Sequence, residues 1–195
     1  MEGGGPTRAL QGPCRIAFTA LLENCGFRRP RMPQVIVCGT REETFKQFKL
    51  AQAEAHEGEF VALWVDSEQP VDDVEQPWAH LRRHAAHWVP PVGTGEDQAF
   101  LMTTCMETLI VADRAMLQDH FKKKFKMAAL PTTDFEEIPP AAILEKLKNA
   151  TKECSKRYSK GDQSFTLLGK LNPSTLEAHL PSFARTRRIL NQKLH

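Results

Sequence analysis

The sequence predicts an α/β fold: a parallel sheet covered on both faces, with a mostly helical second half packed against it. Three observations lead there. Two short apolar runs, "PQVIVCGT" (33–40) and "EFVALWVD" (59–66), flank a stretch of helical spacing, "REETFKQFKLAQAEA" (41–55). Strands that stay apolar along their length, with helices between them, belong to sheets buried on both sides. The most apolar segment, "AFLMTTCMETLIVAD" (99–113), then repeats the unit: its first half reads as a strand, its second as a helix.

Each element has a local reason. Leu10, Cys14, Ala17, Phe18, Leu21 and Leu22 recur at helical spacing from Thr7 to Cys25, and Gly26 follows where a left-handed cap is expected. Gly39 stops the first strand. After Asp66 the texture changes to an acidic, proline-punctuated loop, "SEQPVDDVEQPW", a short helix "AHLRRHAAH", and the connection "VPPVGTGEDQ". Further on, Asp113 is placed to cap "RAMLQDHF" and "PPAAILEKLKNATKEC" carries an apolar stripe. Asn172 and Pro173 read as cap and first-turn proline, and Pro181 opens the last helix. The expectation is one domain over 1–195, with the sheet core in 1–113 and a helical extension in 114–195.

Composition narrows the classes. The 195 residues include 26 Lys and Arg against 24 Asp and Glu, a net charge of +2, which gives no global drive toward nucleic acid or membrane. Five widely spaced cysteines contain no C-x-x-C pair and read as reduced thiols. No apolar run approaches the roughly 20 residues that span a bilayer, and "MEGGGPTRALQ" lacks the regions of a signal peptide. A cytoplasmic protein with no membrane partner is expected.

Two acidic features stand out. Ligands of parallel α/β sheets gather beyond the carboxyl ends of the strands, where "WVDSE" delivers Asp66 and Glu68. Residues two apart on an extended exit point the same way, and two carboxylates together repel unless a hard cation such as Mg²⁺ or Mn²⁺ neutralises them. The plain alternative is a polar strand end before a solvated loop. At the start, Glu2 precedes three glycines and the first helix, where glycine lets backbone approach a phosphate or metal closely.

A glutamate before glycine ahead of the first helix, followed by an acid-x-acid at a later strand end, resembles the TOPRIM domain of topoisomerases, primases and overcoming-lysogenization-defect nucleases. More closely, the order "EGGG", "VDSEQPV", "PWAHLR", "DQAFLMTTCMET", "AD", "EEIPPAAILEKLKNAT", "YSKGDQSF" and "LNPS" is similar to a bacterial TOPRIM-like domain known only as a domain of unknown function. The resemblance spans nearly the whole chain. It implies a TOPRIM-like Rossmannoid sheet, Asp66 and Glu68 as ligands of Mg²⁺ or Mn²⁺, and Glu2 in proton transfer or metal binding. By position, Asp97 and Glu107 are further metal-ligand candidates and Lys160 a catalytic cation. Their open alternatives are a turn residue, a first-turn helix carboxylate and a solvated loop cation.

The resemblance implies a Mg²⁺-dependent nuclease or related phosphoryl-transfer enzyme acting on DNA or RNA, beside an ATPase partner in bacterial defence against phage or mobile DNA. The runner-up is a non-catalytic TOPRIM-like module contacting nucleic acid or an ATPase. Two departures stand against the pattern. Relatives carry an apolar strand directly before the glutamate, where this sequence has Met1 alone, so an in-frame upstream strand is expected. In "KGDQSF", Asp162 and Gln163 stand where basic or histidine side chains are expected.

Other constellations are weaker. His80, His84 and His87 would align on one helix face and suit zinc, although no fourth ligand is preset. Lys122, Lys123, Lys124 and Lys126 in "FKKKFK", Arg185, Arg187 and Arg188 near the end, and Arg28, Arg29 and Arg31 could track phosphates, each cluster being otherwise a solvated face. Phe100, Leu101, Met102 and Met106 read as core.

Overall fold

A computed structural model describes residues 1–5 and 8–194, so the expected helix start at Thr7 lies outside the described residues. A short strand β1 (Glu2–Gly4) precedes α1 (Arg8–Asn24), α2 (Arg41–Glu54), β2 (Leu63–Asp66), α3 (Pro77–His84), β3 (Ala99–Met102) and α4 (Met106–Ala112). The remainder is helical: α5 (Arg114–Phe121), α6 (Pro140–Thr151), α7 (Asp162–Leu168), α8 (Pro173–His179) and α9 (Pro181–Lys193). Among the described residues no helix is long and apolar enough to cross a membrane.

β2 and β3 pair in parallel, from Leu63 opposite Ala99 to Asp66 opposite Met102. Alternation sends their side chains into two cores. Trp64, Phe100 and Met102 join the larger one with residues of α1, α4, α6 and α7. Leu63, Val65, Ala99 and Leu101 join the smaller one with Phe45 and Phe48 of α2, Trp78 and Leu81 of α3, and Trp88. Aromatic rings seal both sides: Phe18 meets Trp64 edge-on at 5.2 Å, and Phe45 stacks on Trp88 at 4.4 Å. Each such ring removes about 150–250 Å² from water, so the small sheet is held mainly by what covers it. The architecture is mixed α/β, a small parallel sheet among many helices.

Most expected boundaries hold for the expected reasons. Gly26 (φ 98°) ends α1, its N–H reaching Glu23 O at 3.0 Å while Phe27 N–H reaches Leu22 O at 3.2 Å. Asp113 caps α5 through Met116 N–H at 3.0 Å, and its second oxygen takes Asn172 N–H at 2.8 Å, which ties the start of α5 to the start of α8.

Four expectations change. "PQVIVCGT" joins neither strand of the sheet and pairs instead with residues 1–4: Met1 N donates to Ile36 O at 2.6 Å, Cys38 N–H returns to Met1 O at 3.0 Å, and Gly39 bridges β1. Ile36 is 58% exposed, so this run is not the buried strand its composition suggests. α7 forms where "YSKGDQSF" read as loop, because Ser164, Phe165, Leu167 and Leu168 bury one face too short to show periodicity. α3 stops at His84, which leaves His87 outside the helix and paired with Glu42 at 3.0 Å. His80 is buried against Ser67 O at 3.0 Å, so the three imidazoles do not share a face.

The fourth change concerns the terminal arginines, expected as surface cations for nucleic acid. Arg185 is buried and docks α9 on the sheet: Nη1 donates to Ala99 O at 2.9 Å, Nη2 to Glu96 O at 2.6 Å and Nε to Glu75 Oε2 at 3.3 Å. Arg187 is held by Glu177, and Arg188 grips both oxygens of Glu75 at 2.6 and 2.7 Å. These charges tie α9 to α8, β3 and Glu75 rather than standing free on the surface.

Candidate functional site

The carboxyl end of β2 is where distant parts of the chain meet. Past Asp66 the backbone stays beside β3, with Ser67 N–H on Met102 O at 3.1 Å and Glu68 N–H on Thr104 O at 2.8 Å. At Glu68 it turns left-handed, φ 65°. That turn separates the two acids, which an extended exit would have kept parallel. Asp66 faces inward, whereas the Glu68 side chain is 60% exposed and pairs with Arg41 Nη1 at 3.0 Å.

Glu2 arrives from β1, and its Oε2 accepts the Asp66 N–H at 3.1 Å. The glycines after it serve a different contact from the one expected. Gly4 (φ 75°) lies so close to α1 that an added Cβ would sit 2.9 Å from Gln11 N. Backbone packed on α1, rather than backbone kept open for a ligand, is what holds Glu2 at the strand end.

Glu107, in the first turn of α4, is buried beside Asp66. Its Oε1 accepts the Tyr158 hydroxyl at 3.2 Å, and Lys160 Nζ lies 3.7 Å from Oε2. Tyr158 is anchored in turn: its N–H reaches Thr151 Oγ1 at 2.9 Å and its hydroxyl shares a 2.7 Å bond with Ser164 Oγ. Ser164 also accepts Gly161 N–H at 3.2 Å. The end of α6 and the start of α7 are thereby fastened around Glu107, and Lys160 is carried with them.

The electrostatics follow from crowding acids in a dry place. Burial pushes Asp66 well above the ordinary aspartate range, and the Glu2 and Glu107 carboxylates push it further, against Lys160 and the Met106 N–H. Glu2 is raised by burial too, opposed by the Asp66 N–H and by Arg41. Burial works against charging Lys160, but Glu107 and Asp66 outweigh it and its pKa rises. Asp66 Oδ1 is buried with no hydrogen-bond partner. An orphaned carboxylate oxygen between two other acids is a donor set that suits a hard divalent cation. Among the described residues no three His, Cys, Asp or Glu side chains form a ready-made metal cage, so a cation here would draw the carboxylates together around Asp66.

Of the residues expected in a site, Glu2, Asp66, Glu107 and Lys160 converge, and Glu68 stands at its rim. Asp97 does not join them. It sits in the 3-10 turn Glu96–Gln98 just before β3 and so lies at the opposite end of the sheet, beyond the roughly 10 Å that β3 spans at 3.3 Å per residue, paired with Lys193 at 2.7 Å. Lys122, Lys123 and Lys124 are exposed on the turn after α5. Asp162 opens α7, exposed and one residue past Gly161. Sequence reasoning missed Arg41, Tyr158 and Ser164. Arg41 had a signal: "GTR" follows an apolar run into a helix, the same kind of strand-end position that singled out Asp66. Tyr158 and Ser164 had none, since Tyr158 meets Glu107 across 51 residues of chain and Ser164 joins only through the Tyr158 hydroxyl.

No curated protein and no solved structure matches this chain. One family model does, DUF4276, described as a domain of unknown function, over residues 13–190. The match takes in β2, β3, both cores and every helix from α2 to α8, and with that coverage the chain belongs to the DUF4276 family.

Proposed function

We propose that this protein is a TOPRIM-like, Mg²⁺- or Mn²⁺-dependent phosphoryl-transfer enzyme, a nuclease hydrolysing phosphodiester bonds of DNA or RNA. The observation that carries the reading is the unpartnered, buried Asp66 oxygen between Glu2 and Glu107, with Lys160 alongside. Structural aspartates of the core find donors; this one is left with an acceptor free and acids for neighbours. Asp66 would hold the cation with Glu68, and with Glu2 or Glu107 as a further oxygen ligand. When bound, the ion neutralises substrate phosphate and activates water.

The chain's own groups supply the rest. Glu2, with its raised pKa and its fixed hold on the Asp66 N–H, is placed to take a proton from the attacking water at Oε1, the oxygen left free of that bond. Lys160, fastened through Glu107 and the Tyr158–Ser164 pair, presents a permanent positive charge where negative charge develops on a phosphoryl oxygen. The ATPase partner and the role in defence against phage or mobile DNA rest on the family resemblance alone.

The test is incubation of plasmid, single-stranded DNA and tRNA with the protein in Mg²⁺ or Mn²⁺. Cleavage should require the metal and fall at least ~100-fold in Asp66→Asn and in Lys160→Ala. Cleavage that persists unchanged in Asp66→Asn, or no metal-dependent cleavage of any of the three substrates, rejects the reading.

A further inference from the structure

Arg41 opens α2 immediately after its cap, Thr40, whose Oγ1 accepts Glu43 N–H at 3.3 Å. Its guanidinium is held in a fixed plane. Cζ lies 4.7 Å from the centre of the Trp88 ring, and Nη1 is 3.0 Å from Glu68 Oε2. Trp88 is itself immobilised, stacked on Phe45 and donating from Nε1 to Glu42 Oε1 at 3.0 Å. The other edge of the guanidinium is unused: Nε and Nη2 are both buried and neither has a hydrogen-bond partner.

Those two nitrogens form the side-on fork of arginine, two roughly parallel N–H groups spaced for two oxygens of one planar or tetrahedral anion. An arginine needed only for a surface pair with Glu68 has no reason to bury that fork. Unpaired donors in a dry site are costly, and a stacked, pre-oriented fork loses little on meeting an anion. Its surroundings place it at the acidic centre, since the charge of Arg41 acts on Glu2. Glu68, the exposed member of the pair, holds the guanidinium at Nη1 and leaves the Nε/Nη2 edge unpaired.

We propose that the Nε/Nη2 edge of Arg41 is the binding site for one phosphate group of the substrate, with Glu68, held on Nη1, as a neighbouring carboxylate whose charge opposes that anion. That the anion is a phosphate rests on the function proposed above; the fork and its orphaned donors do not.

The experiment measures binding of inorganic phosphate, and separately of acetate, by calorimetry in EDTA with no turnover. The full chain, Glu68→Ala, Arg41→Lys and Arg41→Ala are compared, and each variant's melting temperature is recorded. Phosphate should bind about 5- to 10-fold tighter to Glu68→Ala, because the carboxylate that repels an anion beside the fork is gone, and acetate more weakly than phosphate throughout. It should bind at least ~10-fold more weakly to Arg41→Lys, which keeps the charge and loses the fork. Equal phosphate affinity in Arg41→Lys, weaker affinity in Glu68→Ala, or a preference for acetate overturns the proposal. Should Arg41→Lys not fold, the Glu68→Ala direction still decides. Phosphate binding of this pattern in a protein that cleaves nothing leaves the Arg41 site standing and removes the nuclease reading. Cleavage with an indifferent Arg41→Lys removes the Arg41 site alone.

Discussion

Asp66→Asn preserves size and removes the charge that the structure leaves uncompensated. In the folded protein the Asp66 carboxyl is buried, one oxygen has no partner, and Glu2 and Glu107 both repel its ionised form. An unsatisfied buried acceptor costs about 1–3 kcal/mol, and the substitution relieves most of that cost at neutral pH. For a chain of this size 1 kcal/mol corresponds to roughly 2–4 °C, so the variant should melt about 2–10 °C higher than the native protein at pH 7. The pH dependence has a definite sign. A folded-state pKa above the unfolded value means the native state holds the proton longer, so native stability is greatest in acid and declines as pH rises from the unfolded aspartate range through the folded pKa. Asp66→Asn should flatten that decline. Divalent metal acts oppositely: at a hundredfold excess over its dissociation constant it adds about 2.7 kcal/mol to the native protein and nothing to the variant. Thermal melts at pH 5, 7 and 8, with EDTA or with Mn²⁺, read all three effects. A variant that melts lower at every pH, together with a native protein indifferent to Mn²⁺, would show that Asp66 is an ordinary core acid and the argument from its orphaned oxygen mistaken.

Other measurements probe other residues. Glu136 is raised by burial from 4.5 to about 7 while accepting the Ser182 N–H, so its contribution is present below about pH 4.5 and lost as pH approaches 7; Glu136→Gln should gain up to about 3 kcal/mol at pH 8 and almost nothing at pH 4 by urea denaturation. Arg185→Ala should destabilise by about 3–5 kcal/mol, since it strips donors from Ala99 O and Glu96 O and leaves Glu75 with Arg188 alone; a loss under 1 kcal/mol would mean that α9 docks by its apolar face. Replacing Lys122, Lys123 and Lys124 together by Gln should leave the melting temperature unchanged, because all three are exposed. If that turn contacts nucleic acid, the slope of log affinity against log salt should fall by about 1 for each lysine that touches phosphate, as read by fluorescence anisotropy with Asp66→Asn as the uncleaving background. An unchanged slope would make the turn a solvated surface.

What the sequence disclosed, it disclosed through short-range physics. Asp113, Asn172 and Gly26 announced helix ends because a cap acts within four residues of its own position. The strand from Leu63 to Asp66 was visible because an apolar run buried on both faces has little else it can be. The same cue misled at "PQVIVCGT", where composition says strand but Ile36 is exposed and the pairing partner is a few residues at the chain's start. The site was legible as acids at strand ends and by resemblance, yet not in its geometry. No local pattern announces that Glu68 turns left-handed and leaves Asp66 behind; that Asp97 precedes its strand while Asp66 ends its own was legible, and only the parallel pairing puts them at opposite ends. Arg185 shows the converse limit. Three arginines in four residues read as a basic surface until Ala99 and Glu96 present carbonyls, and Glu75 and Glu177 carboxylates, to bind them.

On the proposed reading, the charges at the strand end would link proton and metal there. Glu2, Asp66, Glu68 and Glu107 bring four carboxyls against two fixed cations, Arg41 and Lys160, so full ionisation leaves an excess of two negative charges. Two relieving states exist. Protons can stay on Glu2 and Asp66, which is the direction burial and mutual repulsion already push both. Alternatively one divalent ion can replace those protons, matching the excess in a single step. The two would compete for the same oxygens, so metal affinity should rise with pH and binding should expel protons. Lys160 and Arg41 hold the deficit at two rather than four, within reach of one ion. Each does so by gripping a different acid, Glu107 within the core and Glu68 at the rim, and the grip at the rim leaves the Nε and Nη2 donors of Arg41 unpaired.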